Sequence, residues 1–175
     1  MPVPEQKRQP KGHNWCQTAC CQMVLEHWAT NGVQLNQDYK DCLVGEDKKT
    51  QINIYEKATS DKGPGENSKL VLKTEGYALL KKALPAGGEA TEKGATELTP
   101  DVIKKKIKDD GMLVLANCET TGATTHCLLF YYDKDKENPF RYHDPDKEEG
   151  AAVEMLAGKV LPLKGEWVAV KAYPP

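Results

Sequence analysis

The stretch HNWCQTACCQMVLEHW, residues 13–28, gathers three cysteines, two histidines and two tryptophans. Four arrangements suit such a set: a metal site, a disulfide framework, a packed core helix, or a nucleophile at a helix N-terminus. The last has a clear physical basis. A free thiol has a pKa near 8.5, so only a few per cent is thiolate at neutral pH, and nucleophilic catalysis needs more. A helix N-terminus offers about half a positive charge and backbone N–H groups without intrahelical acceptors, both of which favour the anion. Cys16 falls in the first turn of the helix predicted below, which makes it the candidate nucleophile.

A thiol nucleophile also needs an imidazole within hydrogen-bond reach and a polar group to orient that ring. His13 lies just before the helix and His27 about three turns along it, so neither reaches Cys16 without distorting the helix. His126 opens the apolar run HCLLFYY, where an ionisable ring at a strand edge is otherwise a liability. Asp144, in YHDPD, ends the following strand, and an antiparallel hairpin would bring it beside His126. His143 is the rival imidazole; alternation along a strand puts it on the face opposite Asp144, just as it sets Cys127 opposite His126. Asn117 reads equally well as a core-edge residue or as part of a cleft. A zinc site built from Cys16, Cys20 and either His126 or Cys127 is the metal alternative, but no C-x-x-C pair supports it. Cys20, Cys21, Cys42, Cys118 and Cys127 read as core or incidental thiols.

Several elements must position these groups. Cys20, Cys21, Val24, Leu25 and Trp28 form an apolar stripe that predicts a helix over 15–29, with Asn14 as N-cap and TNG at 30–32 as its stop. Residues 33–69 are polar and lack a clear period, with short helical possibilities from Gln37 to Val44. A helix containing EGYALLKKAL is expected within 70–84, and PAGGEATEKGATE after it is too small and polar to pack, hence a surface loop. In LTPDVIKKKIKDDG, Thr99 is the N-cap, Pro100 the first helical residue, Val102, Ile103 and Ile107 the apolar face, and Gly111 the stop. KKKIK at 104–108 reads as a solvated helix face. Strands are expected at MLVLANC (112–118), HCLLFYYDKD (126–135), FRYHD and GEWVAVKAY (165–173). Helices first and strands later predict an α+β domain with segregated halves.

The totals bound what this domain can be. A chain of 175 residues suits one domain, 1–175 with a polar lead over 1–13, and at this size roughly two thirds of the unfolded surface can be buried. With 24 basic against 26 acidic residues and no basic stripe with interleaved aromatics, nucleic acid is not an expected partner. The sequence holds neither a run of 18 apolar residues nor a signal peptide, so no membrane association is expected. Six cysteines permit disulfides, yet without an export signal reduced thiols are the default.

Taken in order, a cysteine followed by a small-residue turn and QMVL in a helix, a helix and buried strand, a histidine heading an apolar strand, and then HDP resemble the papain-like cysteine peptidases of bacteria. The chain is similar to the leader-processing peptidase domains of bacteriocin exporters and to papain-like effector proteases, over the span from Gln9 to Asp144. The resemblance implies an α+β papain-like fold, with a helical half carrying the nucleophile helix packed on an antiparallel sheet and the site in the groove between them. It also implies that Cys16 is the nucleophile, His126 the general base and acid, and Asp144 the orienting group. Gln9, with Gln6 in reserve, would join the Cys16 backbone N–H in holding the oxyanion. No metal or cofactor is expected. Two positions depart from the family pattern. Relatives carry tryptophan directly after the cysteine, where this chain has Gln17, and glycine and alanine around the histidine, where it has Thr125 and Cys127. The first departure bears on the shape of the cleft.

The function so implied is a cysteine endopeptidase acting on a protein or peptide substrate. Its expected setting is the detached toxin or effector domain of a larger secreted bacterial protein, acting in the cytoplasm of a competitor or host and neutralised in the producer by an immunity protein. The alternatives are a non-cleaving peptide-binding module and a deamidase or transglutaminase on the same triad. Loops 45–69 and 85–98 are expected to shape the subsites.

Overall fold

In a computed structural model of the chain, which describes residues 3–7, 16–35, 77–83, 92–94, 98–119, 125–147, 150–152 and 167–172, the apolar stripe winds into helix α1 (Cys16–Thr30). All five stripe residues are fully buried. Gly32 ends the helix at φ 82°. The N–H groups of Gly32 and Val33 reach back to the carbonyls of Ala29 and Trp28 at 3.3 and 3.0 Å, the pairing that a left-handed residue past a helix end makes possible. The expected cap, Asn14, lies outside the described residues. Burial goes beyond the stripe, because Thr18, Gln22, Glu26 and His27 are also buried; α1 is enclosed rather than half-exposed. Its interior carboxylate has partners: Gln22 Nε2 donates to Glu26 Oε1 at 2.9 Å and Lys7 Nζ pairs with Glu26 Oε2 at 3.0 Å, which offsets the desolvation that burial imposes.

Helix α2 (Tyr77–Ala83) is the described part of the helix expected within 70–84, and its Leu80 and Ala83 pack into the cluster beneath α1. Strand β1 (Glu92–Gly94) corrects the expectation of a plain surface loop. Its backbone pairs with Trp167–Ala169, and such pairing at a sheet edge needs main-chain groups rather than apolar side chains. Helix α3 (Pro100–Lys108) starts as its residues predict, with Thr99 Oγ1 accepting from the Val102 N–H at 3.3 Å and Pro100 in the first turn. Ile103 and Ile107 are buried, whereas Val102 is 37% exposed, so the apolar face is narrower than expected. The possible helix from Gln37 to Val44 lies outside the described residues.

The remaining strands are β2 (Met112–Glu119), β3 (Thr125–Tyr132), β4 (Phe140–His143), β5 (Ala151–Ala152) and β6 (Trp167–Lys171). They form one antiparallel sheet in the order β1-β6-β2-β3-β4-β5, with four longer strands flanked by two short ones. Alternation divides the side chains cleanly. Leu113, Leu115, Cys127, Leu129, Tyr131, Val168 and Val170 join α1 on one face, while Val114, Ala116, Leu128, Phe130 and Ala169 join Ile103 and Ile107 of α3 on the other. The α+β class and the antiparallel sheet are as expected. The helices, however, cover both faces rather than one side, because Ile103 and Ile107, just before β2, need an apolar surface that α1 does not occupy. Full burial of each large side chain, such as Phe130, Leu115 or Leu25, contributes about 1.5–3 kcal/mol.

Beyond β4, Gly150 packs against the stacked rings of Tyr131 and His143, whose centroids are 4.4 Å apart. A Cβ at Gly150 would stand 2.6 Å from the Tyr131 hydroxyl and 2.7 Å from His143 Nδ1. Neither ring has room to retreat, since both are buried. Gly150→Ala is therefore expected to cost about 1–3 kcal/mol, measured from the urea midpoint; an unchanged midpoint would show slack in this packing.

Candidate active site

Cys16 is the first residue of α1 and is 8% exposed. Its place at the positive end of the helix favours a thiolate. His126 is the second residue of β3 and lies opposite Cys118 in the β2–β3 ladder. Its Nε2 is 2.5 Å from Asp144 Oδ1. The Cys16 side chain also acts on this ring and favours its protonated form, and because the carboxylate holds Nε2, Nδ1 is the nitrogen left for the sulfur. Sulfur, imidazole and carboxylate thus stand in a row.

The hairpin explains how Asp144 arrives there. Asp133 N–H donates to Pro139 O at 2.8 Å and closes the β3–β4 turn, which sets Leu129 opposite His143. One further step of that ladder would place Asp144 opposite Leu128, short of His126. The ladder ends there. Residues 144–147 turn instead, with Pro145 buried, Lys147 N–H on Asp144 O at 2.9 Å and Asp146 N–H on Asp144 Oδ1 at 2.9 Å. This Asx-type turn, for which Asp-Pro-Asp is a sequence signal, swings the carboxylate to the histidine. Asp146 follows it to within 3.8 Å of the ring.

Charge settles on this pair. Burial alone would push the His126 imidazole down, but the hydrogen bonds and negative charges of Asp144 and Cys16 outweigh it and raise the ring to about 10. Burial would likewise push Asp144 up. Its hydrogen bonds from His126 and the Asp146 N–H, with the charges of His126 and Lys147, instead hold it below the ordinary 3.8. An imidazolium therefore faces the sulfur across neutral pH.

The other candidates fall elsewhere. His143 is buried and turned away from the pair; its Nε2 donates to Pro4 O at 2.8 Å, and burial pushes its pKa down. His27 sits near the far end of α1 against Asn31, and Asn117 is buried opposite Cys127. Cys20 donates to Cys127 O at 3.4 Å and is pushed up to about 11 by burial, while burial raises Cys21 as well. These two thiols are packing groups, and none of Cys16, Cys20, Cys21 and Cys127 is in a disulfide. The one group of metal-type ligands among the described residues is His126, Asp144 and Asp146, whose ligand atoms lie within 4.8 Å of one another. No thiol joins it, and the zinc arrangement of Cys16 and Cys20 with either His126 or Cys127 does not assemble among the described residues.

Gln9, like His13, Cys42 and most of loops 45–69 and 85–98, lies outside the described residues. Gln6 is described, and it is not at the sulfur. Its Nε2 donates to Asp144 O at 2.8 Å and to Lys147 O at 3.3 Å, at the acid end of the row. Polar residues before a first helix carry no periodic signal, so nothing in the sequence marks this contact. Among the described residues no helix is long and apolar enough to cross a membrane. Set against models of known protein families, curated proteins and solved structures, the chain matches none.

Proposed function

We propose that this chain is a papain-like cysteine endopeptidase working through Cys16, His126 and Asp144. One observation carries the proposal: an imidazole whose Nε2 is 2.5 Å from a carboxylate is also raised by the thiol at the start of a helix. That arrangement suits acyl transfer.

In the proposed reaction the Cys16 thiolate attacks the substrate carbonyl carbon and its π pair moves onto oxygen. The Cys16 backbone N–H, with the Gln9 amide as the proposed second donor, stabilises that oxyanion. As the intermediate collapses, the C–N bond breaks and the His126 imidazolium gives its proton to the leaving amine, which leaves a thioester on Cys16. Water then loses a proton to the neutral imidazole and attacks the thioester. The acid product leaves, and thiolate and imidazolium are restored. No metal or cofactor enters these steps.

Deamidation and transglutamination share the thioester step and differ only in the amide consumed and the nucleophile that follows. A peptide-binding module without chemistry fits less well, since recognition alone does not call for an imidazolium held against a thiol. We place the enzyme as an effector or toxin domain acting on a cytosolic protein of a competitor or host cell, with a cognate immunity protein as partner. This setting rests on the sequence resemblance.

The test is addition of purified protein to a bacterial lysate, followed by mass spectrometry of peptide termini. New termini that depend on Cys16 and vanish with Cys16→Ala are expected. Mass gains of one dalton at glutamine or asparagine without new termini would reassign the site to deamidation, and no Cys16-dependent change of any kind would overturn the enzymatic reading. Expression inside bacterial cells should slow growth for the wild type only; equal growth of both strains would count against a toxin role.

A further inference from the structure

Residues 3–7 cross the molecule between the two elements that carry the site, and they are anchored to both. On the helix side, Lys7 Nζ pairs with Glu26 Oε2 of α1 at 3.0 Å. On the sheet side, Pro4 is buried and its carbonyl accepts from His143 Nε2 at 2.8 Å, directly before Asp144. Between these anchors the Gln6 side chain reaches the turn that bears Asp144, donating to the carbonyls of Asp144 and Lys147. A third carbonyl, that of Lys7, lies 3.2 Å from the same nitrogen. Three surrounding oxygens demand a donor there, so neither a carboxylate nor an apolar group can replace the amide.

The Asp144 carbonyl therefore has two donors, Gln6 Nε2 at 2.8 Å and Lys147 N at 2.9 Å. Together they hold the peptide plane one residue's torsions away from the carboxylate on His126. Without Gln6, the turn would keep its internal hydrogen bonds and the His143–Pro4 anchor just before it but lose its own direct tie to residues 3–7. The ring would then face a carboxylate free to shift with the turn.

Resting on the catalytic reading above, we infer that Gln6 is a positioning residue: through the Asp144 turn it aligns the carboxylate on His126 and so the ring that serves Cys16. It touches neither substrate nor sulfur. Its effect must appear in the acid–base behaviour of the site and not in stability alone.

The readout is the pH dependence of Cys16 alkylation by iodoacetamide, followed by mass spectrometry of the Cys16 peptide, with thermal unfolding measured alongside. Gln6→Met keeps the side chain's length and removes both donors. The pH of half-maximal alkylation is expected to rise by about one unit, a shift corresponding to about 1.4 kcal/mol, while the variant remains folded at 25 °C. A lower melting temperature with an unmoved pH profile would overturn the inference, because it would make Gln6 merely structural. Should Gln6→Met not fold, Gln6→Asn, which retains a shorter amide, is held to the same criterion. A wild-type profile already matching that of an unassisted thiol near pH 8.5 would instead overturn the catalytic reading, and this inference with it.

Discussion

His126→Ala should lower Cys16-dependent turnover by about 10²–10⁴-fold, the range that a positioned acid–base group contributes. The ring has two tasks in the proposed cycle, protonating the leaving amine and deprotonating water, and both pass through the nitrogen that faces the sulfur. Among the described residues no second imidazole can substitute, since His143 is turned to Pro4 and His27 lies near the far end of α1. The same variant should slow alkylation of Cys16 at pH 6 by about ten- to a hundredfold. At that pH an unassisted thiol of pKa 8.5 is only about 0.3% thiolate, and the lower intrinsic reactivity of a stabilised thiolate offsets part of the difference. Cys20 and Cys21 are fully buried and should stay unmodified in the folded protein. Unchanged alkylation at pH 6 would show that the ring does not act on the sulfur.

Asp144→Asn should reduce turnover by about 10²-fold or more, because an amide keeps the shape of the carboxylate and loses its charge. The His126 imidazole would then be left with burial pushing it down and only Cys16 and the more distant Asp146 carboxylate pulling it up, so the imidazolium population at neutral pH should fall. Stability gives an independent reading of the same pair. His126 is raised, so its contribution is fully present below the ordinary histidine value of 6.5 and fades as pH rises through about 10. Asp144 is lowered, so its contribution is present above its ordinary 3.8 and is lost as pH falls through its lower folded value. The melting temperature of the wild type should therefore exceed that of Asp144→Asn most between about pH 4 and 6.5, and the gap should close towards pH 10. A gap that stays constant from pH 6.5 to 10 would rule out the raised histidine.

The sequence resolved more of the fold than of the contacts that hold the site together. Local patterns marked α1, α3 and the four longer strands to within three residues, because apolar period, the Thr99–Pro100 cap and the Gly32 and Gly111 stops are short-range signals. Edge strand β1 escaped notice, since Glu92–Gly94 joins the sheet through its backbone and carries no apolar alternation. The placement of helices on both faces of the sheet was equally hidden. It depends on which surface remains open when α3 docks.

The site divides in the same way. From sequence alone came the identities: a cysteine in the first turn of a helix, a histidine at the head of an apolar strand and an aspartate at the end of the next strand, each marked by its position within one element. Only the tertiary structure determined the alignment. The β3–β4 register stops one step short of pairing Asp144 with the strand, the Asp-Pro-Asp turn covers the remaining distance, and Gln6 braces that turn from a segment near the other end of the chain. Hydrogen bonds between groups so far apart in sequence are selected by the packing that brings them together, and for that reason no local pattern records them.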